Sequence, residues 1–214
     1  MTTSEVTPII NCKIYDILSV LIQNANNKYC QGMFHKSLSI LHESLQICIQ
    51  NEDFLCFEGI ISNRIGIVFQ HGLSDPESAL GWHYRHLKIS LWIGDFEGTS
   101  FARANMGMCL YALRRYPEAL KLQAICLNGM LTSSNDLLVS RAYCNLGLTL
   151  LELGKFDKAL SMFKKGTKMS MNANDEKGIF ICDAHSASAL FQLGYYSEAL
   201  DKFTACLHAY QAPK

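Results

Sequence analysis

The sequence predicts an all-α solenoid of about five antiparallel helical hairpins, residues 9–214, behind a flexible lead over residues 1–8. Two observations carry this reading. In AYCNLGLTLLELGKFDKALSMFKKG (142–166), Tyr143, Leu146, Leu150 and Leu153 recur at three- and four-residue spacing, Gly154 breaks the run, and Phe156, Ala159, Leu160 and Phe163 resume it. That is one helical hairpin. Its features then repeat along the chain: a small residue followed by leucine stands at Ser37-Leu38, Ala79-Leu80, Ala119-Leu120, Ala159-Leu160 and Ala199-Leu200, separated by 42, 40, 40 and 40 residues. A small residue in the middle of the first helix recurs as Gly66, Gly107, Gly147 and Ala187, and an aromatic opens the second helix at Phe34, Tyr116, Phe156 and Tyr196. A lone hairpin has an apolar side it cannot bury, so copies in one register imply stacking.

The first hairpin, 9–50, is the most divergent; Ile10, Ile14, Ile17, Leu18 and Leu21 give it an apolar face, Asn24-Ala25 replaces the leucine–glycine pair, and it is expected to cap the array. The second, 54–93, carries Ile65-Gly66 and a turn, HGLSDPES, one residue longer than elsewhere, with Pro76 where a helix can begin without losing an amide bond. The third (96–132), fourth (136–173) and fifth (176–210) are the most regular. Glycine at 147 costs a helix about 1 kcal/mol against alanine, so a neighbouring helix is expected in the space of its missing side chain. Between hairpins stand Glu52-Asp53, Gly94-Asp95, Asn135-Asp136 and Asn174-Asp175, where a short acidic residue can accept hydrogen bonds from the free amides of the next helix. At the far end Phe203, Cys206, Leu207 and Tyr210 are expected to be partly uncovered, which points to self-association or a partner helix.

Lys plus Arg equals Asp plus Glu at 19 each, so no overall field draws nucleic acid or an anionic membrane, and protein partners are expected instead. No run of about 18 apolar residues occurs and MTTSEVTPII lacks the layout of a secretory signal. Nine cysteines, an odd number without a C-x-x-C spacing, read as buried free thiols in a reducing cytosol, hence a cytoplasmic protein.

The leucine–glycine pair, the aromatic or leucine three residues on, and A-x-x-x-F, carried most fully by Leu146, Gly147, Leu150, Ala159 and Phe163, resemble the tetratricopeptide repeat. The usual repeat has about 34 residues. The spacing of 40 here, with the GD and ND loops, is similar to the longer-repeat branch of the Leu-Gly-Asn (Partner of Inscuteable) scaffolds. The resemblance implies a right-handed superhelix whose first helices line a concave groove, and a non-catalytic adaptor holding a peptide or helical segment there. A scaffold that self-assembles through uncapped ends is the alternative, and an enzyme or metal protein the reading from another class.

Two residues before the small mid-helix position the chain reads Gln23, Arg64, Asn105, Asn145 and His185, all able to hydrogen-bond; the amides can pair with the backbone of an extended peptide. Asn105 in NMG and Asn145 in NLG match the asparagine ladder of the Leu-Gly-Asn proteins, whereas Gln23, Arg64 and His185 depart from it. Flanking rows add Phe101 and Arg141, then Met108, Leu148 and Ser188, then Tyr111 with Glu152 beside it. A carboxylate clamp needs paired lysines and asparagines that these rows lack, since Arg64 and Arg141 are their main cations. His83 and His86 have a spacing that could hold a metal, but no third ligand lies close in sequence; Asp183, His185 and Ser186 do not share a helical face. Catalysis, cofactors and metals are therefore not expected.

Overall fold

A computed structural model of the 214-residue chain describes residues 3–50, 52–132 and 135–211, with backbone alone for 3–11, 52 and 209–211. The described residues form ten α-helices and no strand: α1 (Thr3–Cys30), α2 (Phe34–Ile49), α3 (Leu55–Ile67), α4 (Pro76–Trp92), α5 (Phe96–Ala112), α6 (Tyr116–Met130), α7 (Asp136–Glu152), α8 (Phe156–Asn172), α9 (Glu176–Gln192) and α10 (Tyr196–Gln211). The pairs α1–α2, α3–α4, α7–α8 and α9–α10 pack as hairpins. The lead expected over residues 1–8 lies partly outside the described residues, and α1 is assigned from Thr3.

The hairpin turns keep the periodicity read from the sequence. A residue with left-handed backbone stands at Gly32, Ser74, Arg114, Gly154 and Gly194, with φ between 54° and 85°, at the same 42, 40, 40 and 40 separations. Glycine adopts that conformation without steric penalty, whereas Ser74 and Arg114 adopt it at a cost the surrounding turn must offset. Each turn closes the preceding helix with paired bonds, as where the amides of Gly154 and Lys155 donate to the carbonyls of Leu151 and Leu150.

The residue that lengthens the second hairpin is absorbed inside the helix rather than in its turn. After α3 the backbone widens into a π-helical segment, Val68–Gly72, the usual result of inserting one residue into an α-helix without breaking it. Pro76 opens α4, and the carboxylate of Asp75 accepts from the amide of Ser78 at 3.0 Å.

The caps between hairpins correct the expectation in detail. Asp95 accepts from Gly98 at 2.8 Å, as anticipated, but before α7 it is the amide oxygen of Asn135, not Asp136, that accepts from Leu138 at 3.2 Å. Asp175, at the corresponding place before α9, makes no side-chain cap. The position demands a short acceptor rather than a charge, and Asp136 falls one residue inside the helix.

Two compact units divide the chain, residues 1–109 and 110–214. In the first, α1 packs on α2, α2 on α3 and α3 on α4, around Leu18, Leu41, Leu45, Ile61, Ile65 and Val68. In the second, α6 packs on α7, α7 on α8, α8 on α9 and α9 on α10, while α7 also touches α9. Its buried residues include Leu127, Val139, Leu146, Leu150, Phe163 and Leu190.

The mid-helix glycines are filled by the partner helix. A side chain on Gly147 would come within 2.5 Å of the Phe163 ring, and one on Gly66 within 2.6 Å of the His83 ring. In the first hairpin the matching close approach is between Ala25 and Ser37, whose hydroxyl donates to the Ala25 carbonyl at 2.8 Å. The small residues are thus the seams of the hairpins.

Candidate functional site

In the second unit, the first helices of hairpins four and five, α7 and α9, meet and carry the residues the sequence singles out. Arg141 is exposed on α7, and Asn145 and Leu148 are half-buried one and two turns on; His185 and Ser188 are half-buried on α9. The backbone carbonyl of the half-buried Asn145 accepts from the Thr149 hydroxyl at 3.3 Å. Ser188 donates to the carbonyl of Ala184, and Phe191 stands exposed beyond it. His185 has a further duty: it stacks on Phe163 with ring centres 5.5 Å apart and planes at 28°, and burial lowers its pKa, so it is the neutral cover of the ring that fills Gly147.

At one end of α7, Glu152 accepts from the hydroxyls of Tyr111 and Tyr116 at 3.3 and 3.2 Å. Burial and the Glu152 carboxylate hold the Tyr111 hydroxyl up at about 12, so it donates at any physiological pH. Tyr111 and Glu152 stand beside one another, as their rows in the repeat predict, and the same carboxylate also holds Tyr116 across the α5–α6 turn, a link that spacing alone does not show.

In the first unit, Arg64 is exposed on α3, and Phe101, Asn105 and Met108 are half-buried on α5. The amide of Asn105 is already engaged, donating to the side-chain oxygen of Asn63 at 3.0 Å. The α3 residue that meets Asn105 is therefore Asn63, one position before the Arg64 that the row assigned. The sequence signal that could have found it is a second amide adjacent to the row.

The chemistry-bearing clusters outside this face are engaged in packing. His83 is fully buried on Gly66 and donates through Nε2 to Gln70 at 3.2 Å; burial, then the nearby His86 and His71, lower its pKa to about 3. His86 is buried too, and among the described residues no three His, Cys, Asp or Glu side chains gather as metal ligands. Asp183 accepts from Thr167 and from Lys202, both at 3.1 Å, while the Ser186 hydroxyl donates to the Cys182 carbonyl, so they do not face one another as a catalytic set.

All nine cysteines are free. Six are buried, but Cys12, Cys30 and Cys56 are exposed, which corrects the expectation of uniformly buried thiols: no neighbouring helix covers these three positions. Burial pushes Cys109 up to about 12, and the hydrogen bond with Cys182, with burial, holds Cys144 as a thiol, the wrong state for a nucleophile. An open cleft of about 380 Å³ in the first unit is lined by Leu55, Lys88, Ile89 and Trp92; with Lys88 its only polar side chain, it lacks the converging polar groups of a small-molecule site. No helix among the described residues is long and apolar enough to cross a membrane.

The sequence pattern of the tetratricopeptide repeat family matches residues 99–171. No curated protein sequence matches the chain. Among solved structures, BtubC (BKLC) from P. vanneervenii is similar with a TM-score of 0.83 at 14% identity, covering 99% of this chain and 88% of that one. The Rap protein complexed with competence and sporulation factor gives 0.75 at 13%, over 88% of this chain and 52% of its own. Pseudomonas aeruginosa pilF gives 0.71 at 19%, over 94% and 79%. At such identities the likeness is one of fold. The chain is all-α, its five left-handed hairpin turns are in register, and residues 99–171 match the tetratricopeptide repeat pattern.

Proposed function

We propose that this chain is a non-catalytic adaptor that holds an extended peptide or a helical segment of a partner protein on the first-helix faces of its hairpins. The observation that carries the reading is the α7–α9 face, where Arg141, Asn145, Leu148, His185 and Ser188 combine a cation, amide and hydroxyl groups with apolar surface that neighbouring helices leave part-exposed. Asn145 offers donor and acceptor together, which suits a peptide backbone whatever its side chains. Leu148 and the exposed Phe191 supply apolar anchorage. In the first unit Arg64, Phe101, Asn105 and Met108 are the corresponding candidates, with Asn105 shared between Asn63 and any ligand. The Rap protein, similar in fold, was crystallised with competence and sporulation factor, so an array of this fold can hold another molecule. The 40-residue spacing supports placement in the longer-repeat branch, and nine cysteines outside any disulfide suit the cytoplasm.

The test is affinity capture of partners followed by titration calorimetry on the recovered peptide, with Asn145→Ala and Asn105→Ala made separately and together. Each lost bond should weaken binding by about 0.5–1.5 kcal/mol, with the helical circular dichroism spectrum retained. Unchanged affinity in the double variant would remove the asparagines from the site.

A further inference from the structure

We propose that the peptide held on the α7–α9 face carries an acidic side chain, received by Arg141 and Lys177, with an apolar side chain about three residues away against Leu148. This rests on the groove reading above and names the chemistry of its ligand. Arg141, Asn145, Leu148 and Glu152 follow one another at intervals of four, three and four residues, so they form one stripe along α7. Forty residues on, the matching stripe of α9 holds Ile181, His185, Ser188 and Gln192, with Lys177 one turn before Ile181. The two helices touch, and every one of these nine residues is exposed or half-buried. Ala142 and Leu146 beside them on α7, and Cys182 and Ala189 on α9, are buried.

On and beside these stripes the carboxylates are engaged within the chain and the cations are not. Glu152 accepts from the hydroxyls of Tyr111 and Tyr116, and Asp183 accepts from Thr167 and Lys202. Asp175 lies against Gly178 at the start of α9. Asp136 and Glu176 stand five residues before Arg141 and Ile181, which places them about 140° round their helices from the stripes. Among the described residues Arg141 and Lys177 enter no ion pair, and both are exposed. His185, its pKa lowered by burial, adds no charge at neutral pH. The end of the face where α7 and α9 begin is therefore cationic.

The ligand that complements this end brings a carboxylate. A guanidinium offers two parallel N–H donors to one carboxylate, and the Lys177 ammonium adds a second charge from the neighbouring helix. Ile181, which holds on α9 the place of Arg141 on α7, is 44% exposed and gives the stem of the acidic side chain an apolar surface. Leu148 lies seven residues along α7 from Arg141, a rise of about 10 Å. An extended chain covers that distance in about three residues. Asn145 stands between the two anchors, where it meets the backbone that joins them.

The experiment pans random peptides displayed on phage against the 214-residue chain, each peptide joined to the coat protein through its C-terminus so that only side chains supply carboxylates. Peptides that lose binding to Asn145→Ala are synthesised as C-terminal amides and titrated by fluorescence anisotropy at low and high salt. They should be enriched in Asp or Glu near an apolar residue. Exchanging the acid for its amide should weaken binding about three- to tenfold at low salt and less at high salt. Arg141→Glu should weaken the acidic peptide further and, panned afresh, select Lys or Arg in place of the acid; Lys177→Glu should act in the same direction. Lys158→Glu on α8, exposed and off this face, should change little, which separates local pairing from net charge. Peptides that need Asn145 yet show no preference for an acid, or that keep their affinity for Arg141→Glu, overturn this inference and leave the groove reading standing. A library that yields no peptide sensitive to Asn145→Ala overturns both.

Discussion

Hairpins two and four solve one packing problem with different chemistry. In hairpin four the notch over Gly147 is filled by Phe163, an apolar ring with nothing to satisfy, stacked on His185. In hairpin two the notch over Gly66 is filled by His83, whose Nε2 reaches Gln70 from the π-helical segment while its Nδ1, the His86 Nδ1 and the Ser62 hydroxyl are buried without a hydrogen-bond partner. The inserted residue that widens the helix and the polar filler thus occur together. The comparison teaches that the repeat fixes the shape of the seam and leaves its polarity free, with a cost wherever buried polar atoms are left unpaired.

The largest effect should come from emptying the apolar notch. Phe163→Ala removes a fully buried ring and should cost about 3–5 kcal/mol in chemical denaturation. His83→Phe should cost far less or stabilise, because it replaces an under-satisfied ring by one of similar shape. If His83→Phe proves as damaging as Phe163→Ala, the two hairpins are not equivalent in the way described.

A smaller effect should separate the hairpins by pH. His83 takes a proton near pH 3 when folded but near 6.5 when unfolded, so the unfolded chain binds a proton that the folded chain refuses. Stability is then full above about pH 6.5 and declines as pH falls toward 3, by on the order of 2 kcal/mol at pH 5 from this group alone. His86, lowered chiefly by burial, adds in the same direction. Hydrogen exchange at pH 5 against pH 7 should show α3 and α4 losing more protection than α7 and α8, and His83→Phe should abolish the difference. Equal loss in both hairpins, or a difference that survives the substitution, would count against His83 as its source.

The smallest effect tests the same repeat position one hairpin on. At the same position in hairpin three stands Gln123, buried, whose amide oxygen accepts from the Thr149 hydroxyl of α7 at 2.7 Å. Thr149→Val should cost about 0.5–1.5 kcal/mol by removing that hydrogen bond, and the double variant with Gln123→Leu should cost less than the sum of the two single losses. Additive losses would show that the two side chains do not depend on each other.

Much of this architecture is written in periodicity. The turn residue at Gly154, the seams at Gly66 and Gly147, the start of α4 at Pro76 and the exposed Phe203 and Leu207 all follow from spacing, whereas Cys206, expected to be uncovered beside them, is buried, and the Tyr210 side chain lies outside the described residues. The proposed binding face is less legible. Asn105 and Asn145 share a place in the repeat, yet one is engaged by Asn63 and the other is not, since neighbouring side chains differ at each copy.

By itself the amino-acid order determined the number of hairpins, their register and which residues must be small, since those depend on local periodicity and on volume at a repeated contact. Only the tertiary structure decided that one inserted residue becomes a π turn, that Asn135 rather than Asp136 caps α7, that Glu152 binds two tyrosines, and that three thiols lie outside. Those outcomes depend on which side chains from distant parts of the chain come within hydrogen-bonding reach, and distance in space is not a property of spacing along a single repeat.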